Sequence, residues 1–167
     1  KILIGMSQHR GRDYTSDFAC LRSSLPGLEH ILVLPQNGSE SAEFRSISDL
    51  ACVASDAELL KREAKTSASS VSDIVYTSGT TGRPKGAMLT HDNILRAAFS
   101  SALTRSFEDG RRILFALPMY HVFGYVECWV AALFVGGSII PQTIFDPTEM
   151  LDLGQNLDAT DIVGVPV

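Results

Sequence analysis

Two short apolar segments, Asp73-Ile-Val-Tyr-Thr77 and Ala87-Met-Leu-Thr90, flank the run Ser78-Gly-Thr-Thr-Gly-Arg-Pro-Lys-Gly86. A strand that breaks into alternating hydroxyls and glycines and then returns as a strand leaves the backbone between them open to a ligand. Gly79, Gly82 and Gly86 let main-chain N–H groups approach and face anionic oxygens, and Thr77, Ser78, Thr80 and Thr81 add hydroxyl donors. Lys85 adds a mobile positive charge. Such a loop suits a polyphosphate; a plain Gly/Ser/Thr turn between two strands is the competing reading. The ordinary P-loop needs Gly-Lys-Ser/Thr, whereas Lys85 here precedes Gly86 and Ala87. No Gly-x-Gly-x-x-Gly, Gly-x-Ser-x-Gly or His-Glu-x-x-His occurs, so dinucleotide, serine-hydrolase and zinc-protease readings gain no support.

The rest of the chain alternates strand-like and helix-like segments. Ile2–Met6, Tyr14–Leu25 and His30–Leu34 form a strand, helix and strand, a βαβ unit with the usual right-handed crossover. Pro35–Ser41 is a turn cluster, and Ser55-Asp-Ala-Glu58 opens a capped helix reaching about Ala64. Residues 66–72, rich in serine, read as an exposed connector. Thr90 and Asp92 start a helix carrying Ile94, Leu95, Ala98, Phe99, Ala102 and Leu103 at helical spacing, with Ser100 and Ser101 on other faces. Then follow a strand at Arg112–Leu117, a buried helix at Val122–Val135, a strand at Ser138–Ile140, a helix at Asp146–Leu157 and a strand at Asp161–Val165. The predicted fold is α/β: a doubly wound, largely parallel sheet with helices on both faces, in one subdomain over 1–167.

With 167 residues, 14 Lys and Arg against 19 Asp and Glu, and a net charge of −5, the chain suits one domain and lacks the basic excess of a nucleic-acid binder. Cys20, Cys52 and Cys128 are odd in number and far apart, which predicts free thiols in a reducing cytosol. The apolar stretch from Ile113 to Ile140 is interrupted by Pro118, His121, Glu127 and Gly136-Gly137, so no transmembrane segment is expected. The chain starts without methionine and stops at Val163-Gly-Val-Pro-Val167, which suggests a piece of a longer protein.

The run Tyr76–Gly86, followed by Leu89-Thr-His-Asp-Asn93, resembles the signature of AMP-forming acyl-CoA synthetases, a superfamily that includes aryl-CoA ligases, luciferases and peptide-synthetase adenylation domains. A second stretch, Leu117-Pro-Met-Tyr-His-Val-Phe-Gly124, is similar to the His-bearing loop of those ligases. The resemblance covers the whole chain as part of the large N-terminal domain. It implies a reaction of a carboxylic acid with ATP to acyl-AMP and pyrophosphate, then transfer to coenzyme A, with Mg2+ as cofactor. It also implies that Thr77, Ser78, Gly79, Thr80, Thr81, Gly82 and Lys85 bind the ATP phosphates. His121 would act in catalysis between nucleotide and acyl group, with Phe123 and Gly124 shaping the acyl site; a core histidine is the bland alternative.

Tyr120, Trp129 and Phe134 are expected in the core, and Arg96, Arg105, Arg111 and Arg112 as solvated charges or as a field favouring ATP. Relatives carry a lysine where Gln142 stands, so a coenzyme A contact there is not implied. The Pro118–Gly124 segment is similar to acyl- and aryl-CoA ligases and lacks the Asp of amino-acid-activating domains, which favours a fatty or aromatic acid. The family's magnesium, ribose and adenylation-lysine motifs lie beyond residue 167, so the metal ligands are unknown and the piece alone is expected to be inactive without the remainder of its chain. A nucleotide-binding module without chemistry, or an amino-acid-activating or luciferase-like enzyme, are the other readings.

Overall fold

The computed structural model describes residues 1–9, 11–34, 45–46, 55–79 and 82–165. Contacts divide the chain into two compact units, Lys1–Lys61 and Arg62–Val167. In the first, β1 (Ile2–Met6) is followed by the two-residue strands β2 (Gln8–His9) and β3 (Arg12–Asp13), helix α1 (Thr15–Ser24), β4 (His30–Leu34) and β5 (Arg45–Ser46). β1, β4 and β5 form a parallel three-stranded sheet, with Ile2 opposite His30 and Met6 opposite Leu34, so the expected βαβ unit is present. Phe18 of α1 packs with Ile31 and Val33 over that sheet, joined by Leu3, Tyr14 and Leu28. α1 starts where the Asp13 carboxylate accepts from the Thr15 N–H at 2.8 Å and its hydroxyl at 2.6 Å. Those bonds hold the Asp13 carboxyl below its usual range. The turn cluster at 35–41 lies outside the described residues.

Helix α2 (Asp56–Glu63) begins at Ser55, whose Oγ accepts from the Glu58 N–H at 3.3 Å, as the capping pattern predicts. In the second unit the segment read as a connector is exposed apart from a half-buried Ser70, and its last two residues already belong to β6 (Val71–Thr77). β6 pairs antiparallel with β7 (Lys85–Thr90), which leads into α3 (His91–Thr104). Thr90 and Asn93 form a reciprocal cap: the Thr90 hydroxyl accepts from the Asn93 N–H, and Asn93 Oδ1 accepts from the Thr90 N–H at 3.1 Å.

β8 (Arg112–Phe115) is the centre of a second parallel sheet, between β9 (Ser138–Pro141) and β10 (Asp161–Val163). Its alternation assigns the faces. Ile113 and Phe115 pack with Ile94, Ala98 and Ala102 of α3, and with Val126, Cys128, Ala131 and Ala132. Leu114 points the other way, to α5 (Pro147–Asn156), where a Cβ on Gly154 would lie 3.5 Å from Leu114 Cδ2. This sheet therefore has helices on both faces, as the α/β reading predicts, although the parallel strands form two short sheets, and β2–β3 and β6–β7 are separate antiparallel pairs.

Between β8 and β9 the expected buried helix is a π-helix, Phe123–Val130, continuing as α4 (Ala131–Phe134). Its burial is one-sided: Trp129 is 41% and Phe134 44% exposed, and Tyr120 before it 87%, so the three expected core aromatics are not core residues. An apolar circumference promised burial, but only the Val126–Cys128–Ala131–Ala132 side meets α3 and β8. Conversely Ser101, expected away from the core, is buried, and its hydroxyl donates to the Glu127 carbonyl at 3.4 Å. Among the described residues no helix is long and apolar enough to cross a membrane.

Cys128 is fully buried, and burial pushes its thiol from the ordinary 9.0 up to about 11, against a smaller opposing effect of the Arg105 charge. The folded state thus keeps this proton after the unfolded chain has lost it. Stability is expected to fall as pH rises from roughly 9 to 11, by about 1.4 kcal/mol per pH unit at most. Melting curves of the protein and of Cys128→Ala across that window should diverge; parallel curves would contradict a buried neutral thiol.

Candidate functional site

The hairpin register brings the two ends of the glycine-rich loop together. Thr77, last in β6, stands opposite Lys85, first in β7, so a hydroxyl and an ammonium flank the mouth of the loop, both exposed. Among the described residues Lys85 has no ion-pair partner. Ser78 and Gly79 leave β6, and Gly79 has φ +67°, a left-handed conformation that an L side chain resists. A Cβ on Gly79 would lie 2.2 Å from the Arg83 carbonyl oxygen, so the turn closes only around glycine. Gly82 is also left-handed, and its N–H reaches back to the Gly79 carbonyl at 3.5 Å. Thr80 and Thr81 lie outside the described residues.

The second motif follows β8. The His121 N–H donates to the Pro118 carbonyl at 3.0 Å, and the Tyr125 N–H donates to the His121 carbonyl at 2.9 Å. Nδ1 of His121 accepts from the Phe123 N–H at 3.2 Å, so a neutral ring carries its proton on Nε2, and the side chain is exposed. Gly124 is buried against this loop, with an added Cβ only 2.6 Å from the Pro118 oxygen. That close approach fixes where the π-helix departs, and hence where His121 and Phe123 sit; π-helical segments are frequent at functional sites.

Both motifs reach one open cavity of about 530 Å³, bordered by Asp73 and Tyr76 of β6 and by Met119, Tyr120, Tyr125 and Trp129. Tyr76 immediately precedes Thr77, and Tyr120 immediately precedes His121. The Tyr125 hydroxyl donates to Asp73 Oδ2 at 3.4 Å, and burial together with the Asp73 charge raises the phenol above its usual range. Sequence reasoning did not single out Asp73 or Tyr125, because neither belongs to a local motif. It also gave Arg105 as a solvated charge or part of a field favouring ATP, whereas Arg105 is half-buried and bonds the Glu127 carboxylate at 2.6 Å. Glu127 inside an otherwise apolar run was the available signal for that pair.

Gln142 is buried. Its amide nitrogen donates to the Asp146 carbonyl at 3.0 Å and to Glu149 Oε2 at 2.9 Å, so it holds the first turn of α5. Among the described residues no group of three His, Cys, Asp or Glu could hold a metal ion.

The glycine-rich hairpin loop and the histidine-bearing loop after a parallel strand belong to a chain with recognisable relatives. The AMP-binding enzyme family pattern matches residues 16–167, and the chain belongs to that family. It is 34% identical over 145 residues to the 3-[(3aS,4S,7aS)-7a-methyl-1,5-dioxo-octahydro-1H-inden-4-yl]propanoyl:CoA ligase of Mycobacterium tuberculosis, covering 87% of this chain and 28% of that protein. It is 36% identical over 93 residues to a feruloyl-CoA synthase of Amycolatopsis sp, covering 56% of this chain and 19% of that protein. Among solved structures, ATP-bound MatB from Rhodopseudomonas palustris superposes with a TM-score of 0.73 at 31% identity, over 99% of this chain and 30% of MatB. The chain thus spans less than a third of each of these proteins.

Proposed function

We propose that this chain is the phosphate-binding and acyl-site part of a ligase that activates a fatty or aromatic carboxylic acid with ATP and passes the acyl group to coenzyme A. The observation that carries this reading is the hairpin mouth, where Lys85 stands opposite Thr77 beside a turn that only Gly79 permits. A carboxylate oxygen attacks the α-phosphorus, a carboxylate oxygen–phosphorus bond forms, and the bond to the pyrophosphate oxygen breaks with its electrons. Charge then builds on the departing pyrophosphate. Lys85, the loop N–H groups and the hydroxyls of Thr77, Ser78, Thr80 and Thr81 would stabilise that charge in place, by position and electrostatics. Gly82 keeps the loop open, and His121, with its ring proton on Nε2, would orient the oxygens of the reacting carboxylate and α-phosphate. Phe123 and Gly124 would form the wall of the acyl site. Relatives named as an octahydro-1H-inden-4-yl-propanoyl:CoA ligase and a feruloyl-CoA synthase support an acid of this kind and coenzyme A as acceptor.

The 1–167 chain is read as one subdomain of a larger adenylating enzyme, unable to complete the reaction without the remainder; the share it covers of its relatives supports this. Magnesium would arrive with ATP and take ligands from elsewhere in the longer protein. The free thiols Cys20 and Cys128 suit a cytosolic setting. No feature of the described residues favours a nucleic-acid partner.

Lys85→Ala should weaken ATP binding by about 1–3 kcal/mol, the range for losing a charge-assisted hydrogen bond. Calorimetric titration with ATP and with pyrophosphate checks this. Equal affinities for the protein and the variant would remove Lys85 from the site.

A further inference from the structure

Phe123 lines a second cavity, of about 370 Å³, together with Arg105, Phe107, Asp161, Val163 and Gly164. A smaller one, about 210 Å³, is walled by Leu89, Ile94, Val122, Val126 and Glu127. The Arg105–Glu127 ion pair contributes one partner to each cavity. Its guanidinium carbon lies 5.7 Å from the centre of the Phe123 ring, the residue read above as acyl-site wall.

Arg105 has five N–H donors, and among the described residues its side chain makes one N–H···O bond, to Glu127 Oε2. Donors therefore remain at the cavity wall beside Phe123. The surroundings are balanced in charge. Glu127 compensates Arg105, and Asp161 accepts from the Thr160 hydroxyl at 2.5 Å and stands 3.8 Å from the Arg111 guanidinium. A second carboxylate entering here would meet Asp161 and a guanidinium already neutralised by Glu127, and an ammonium would meet the spare donors of Arg105. A neutral oxygen acceptor fits both constraints. It takes a hydrogen bond from the guanidinium and brings no charge, and an apolar ring or chain carrying it would lie against Phe107, Phe123 and Val163.

Resting on the acid-activating function proposed above, we infer that Arg105, oriented by Glu127, selects acids whose acyl group carries a keto or hydroxyl oxygen, and disfavours plain hydrocarbon acids and diacids. Arg105 also closes the C-terminus of α3, where a cation is favourable whatever the substrate, so stability alone does not test the idea.

The test compares cyclohexylpropanoate, its ring-keto analogue and its ring-carboxylate analogue in acid-dependent ATP–pyrophosphate exchange by the full-length protein. The keto acid should have a kcat/KM at least roughly tenfold above the hydrocarbon acid, because a site with polar groups discriminates against an analogue that leaves them unpaired. Arg105→Met should erase that preference, and Arg105→Lys, which keeps the charge and loses the fork, should reduce it. In Glu127→Gln the guanidinium is uncompensated, and preference should move toward the ring-carboxylate acid. Equal kcat/KM for keto and hydrocarbon acids, or a preference unchanged in folded Arg105→Met and Arg105→Lys, overturns the selection while leaving the acid-activating function intact. No exchange with any of the three or with other fatty and aromatic acids overturns that function and the selection with it.

Discussion

Gly79→Ala is expected to lower ATP affinity by about tenfold to a hundredfold while leaving the fold in place, the scale of losing a hydrogen bond to a charged group. At φ +67° an alanine is strained by about 1–2 kcal/mol, and its Cβ would stand 2.2 Å from the Arg83 oxygen. Backbone cannot yield as a flexible side-chain tip does, so the turn must open. When it opens, Lys85 loses its place opposite Thr77 at the mouth of the proposed phosphate site. The global fold is insulated, since Ser78 and Gly82 are exposed and the core of this unit lies around Ile113 and Phe115. Titration with ATP beside a thermal melt separates the two effects. Unchanged affinity would mean that the loop conformation does not matter to the nucleotide.

Phe115→Ala is the corresponding expectation for the core. Phe115 is fully buried at the end of β8, between α3, the π-helix and β10. Removing a buried ring costs about 3–5 kcal/mol in lost transfer energy and residual cavity. A domain is stable by only about 5–15 kcal/mol in total, so the variant should unfold at much lower denaturant. Phe99→Ala, on the exposed side of α3 against Phe134, should cost far less. Comparable losses at the two positions, measured by urea titration, would contradict the assignment of faces.

The elements legible in the sequence were those with local causes. The βαβ unit from Ile2 to Leu34 followed from two apolar strands around a helix, α3 from the side-chain cap Thr90, and α5 from the helical segment at Asp146–Leu157. The hairpin of Val71–Thr77 and Lys85–Thr90 was visible because its loop chemistry is unusual. The features that stayed hidden depend on distant neighbours. A π-helix has the same apolar composition as an α-helix, and what sets it off is a Gly124 seated on the Pro118 carbonyl. Trp129 and Phe134 looked like core residues because hydrophobicity records a preference for burial and not the presence of a covering element. Arg105 and Glu127 meet across 22 positions of sequence, so their pairing needed the packing of α3 on the π-helix. At the candidate site, the loop and His121 were named by motif, whereas the cavity joining Tyr76 to Tyr120 and the Asp73–Tyr125 contact emerged only from the fold.

The most direct measurement is carboxylate-dependent exchange of pyrophosphate into ATP by the full-length protein, with fatty acids, aromatic acids and amino acids as separate substrates. The account predicts exchange with a fatty or aromatic acid, none with amino acids, and none by the 167-residue chain alone. Folded protein that binds ATP but exchanges no pyrophosphate with any acid would contradict it, and would make the loop part of a nucleotide-binding module without chemistry.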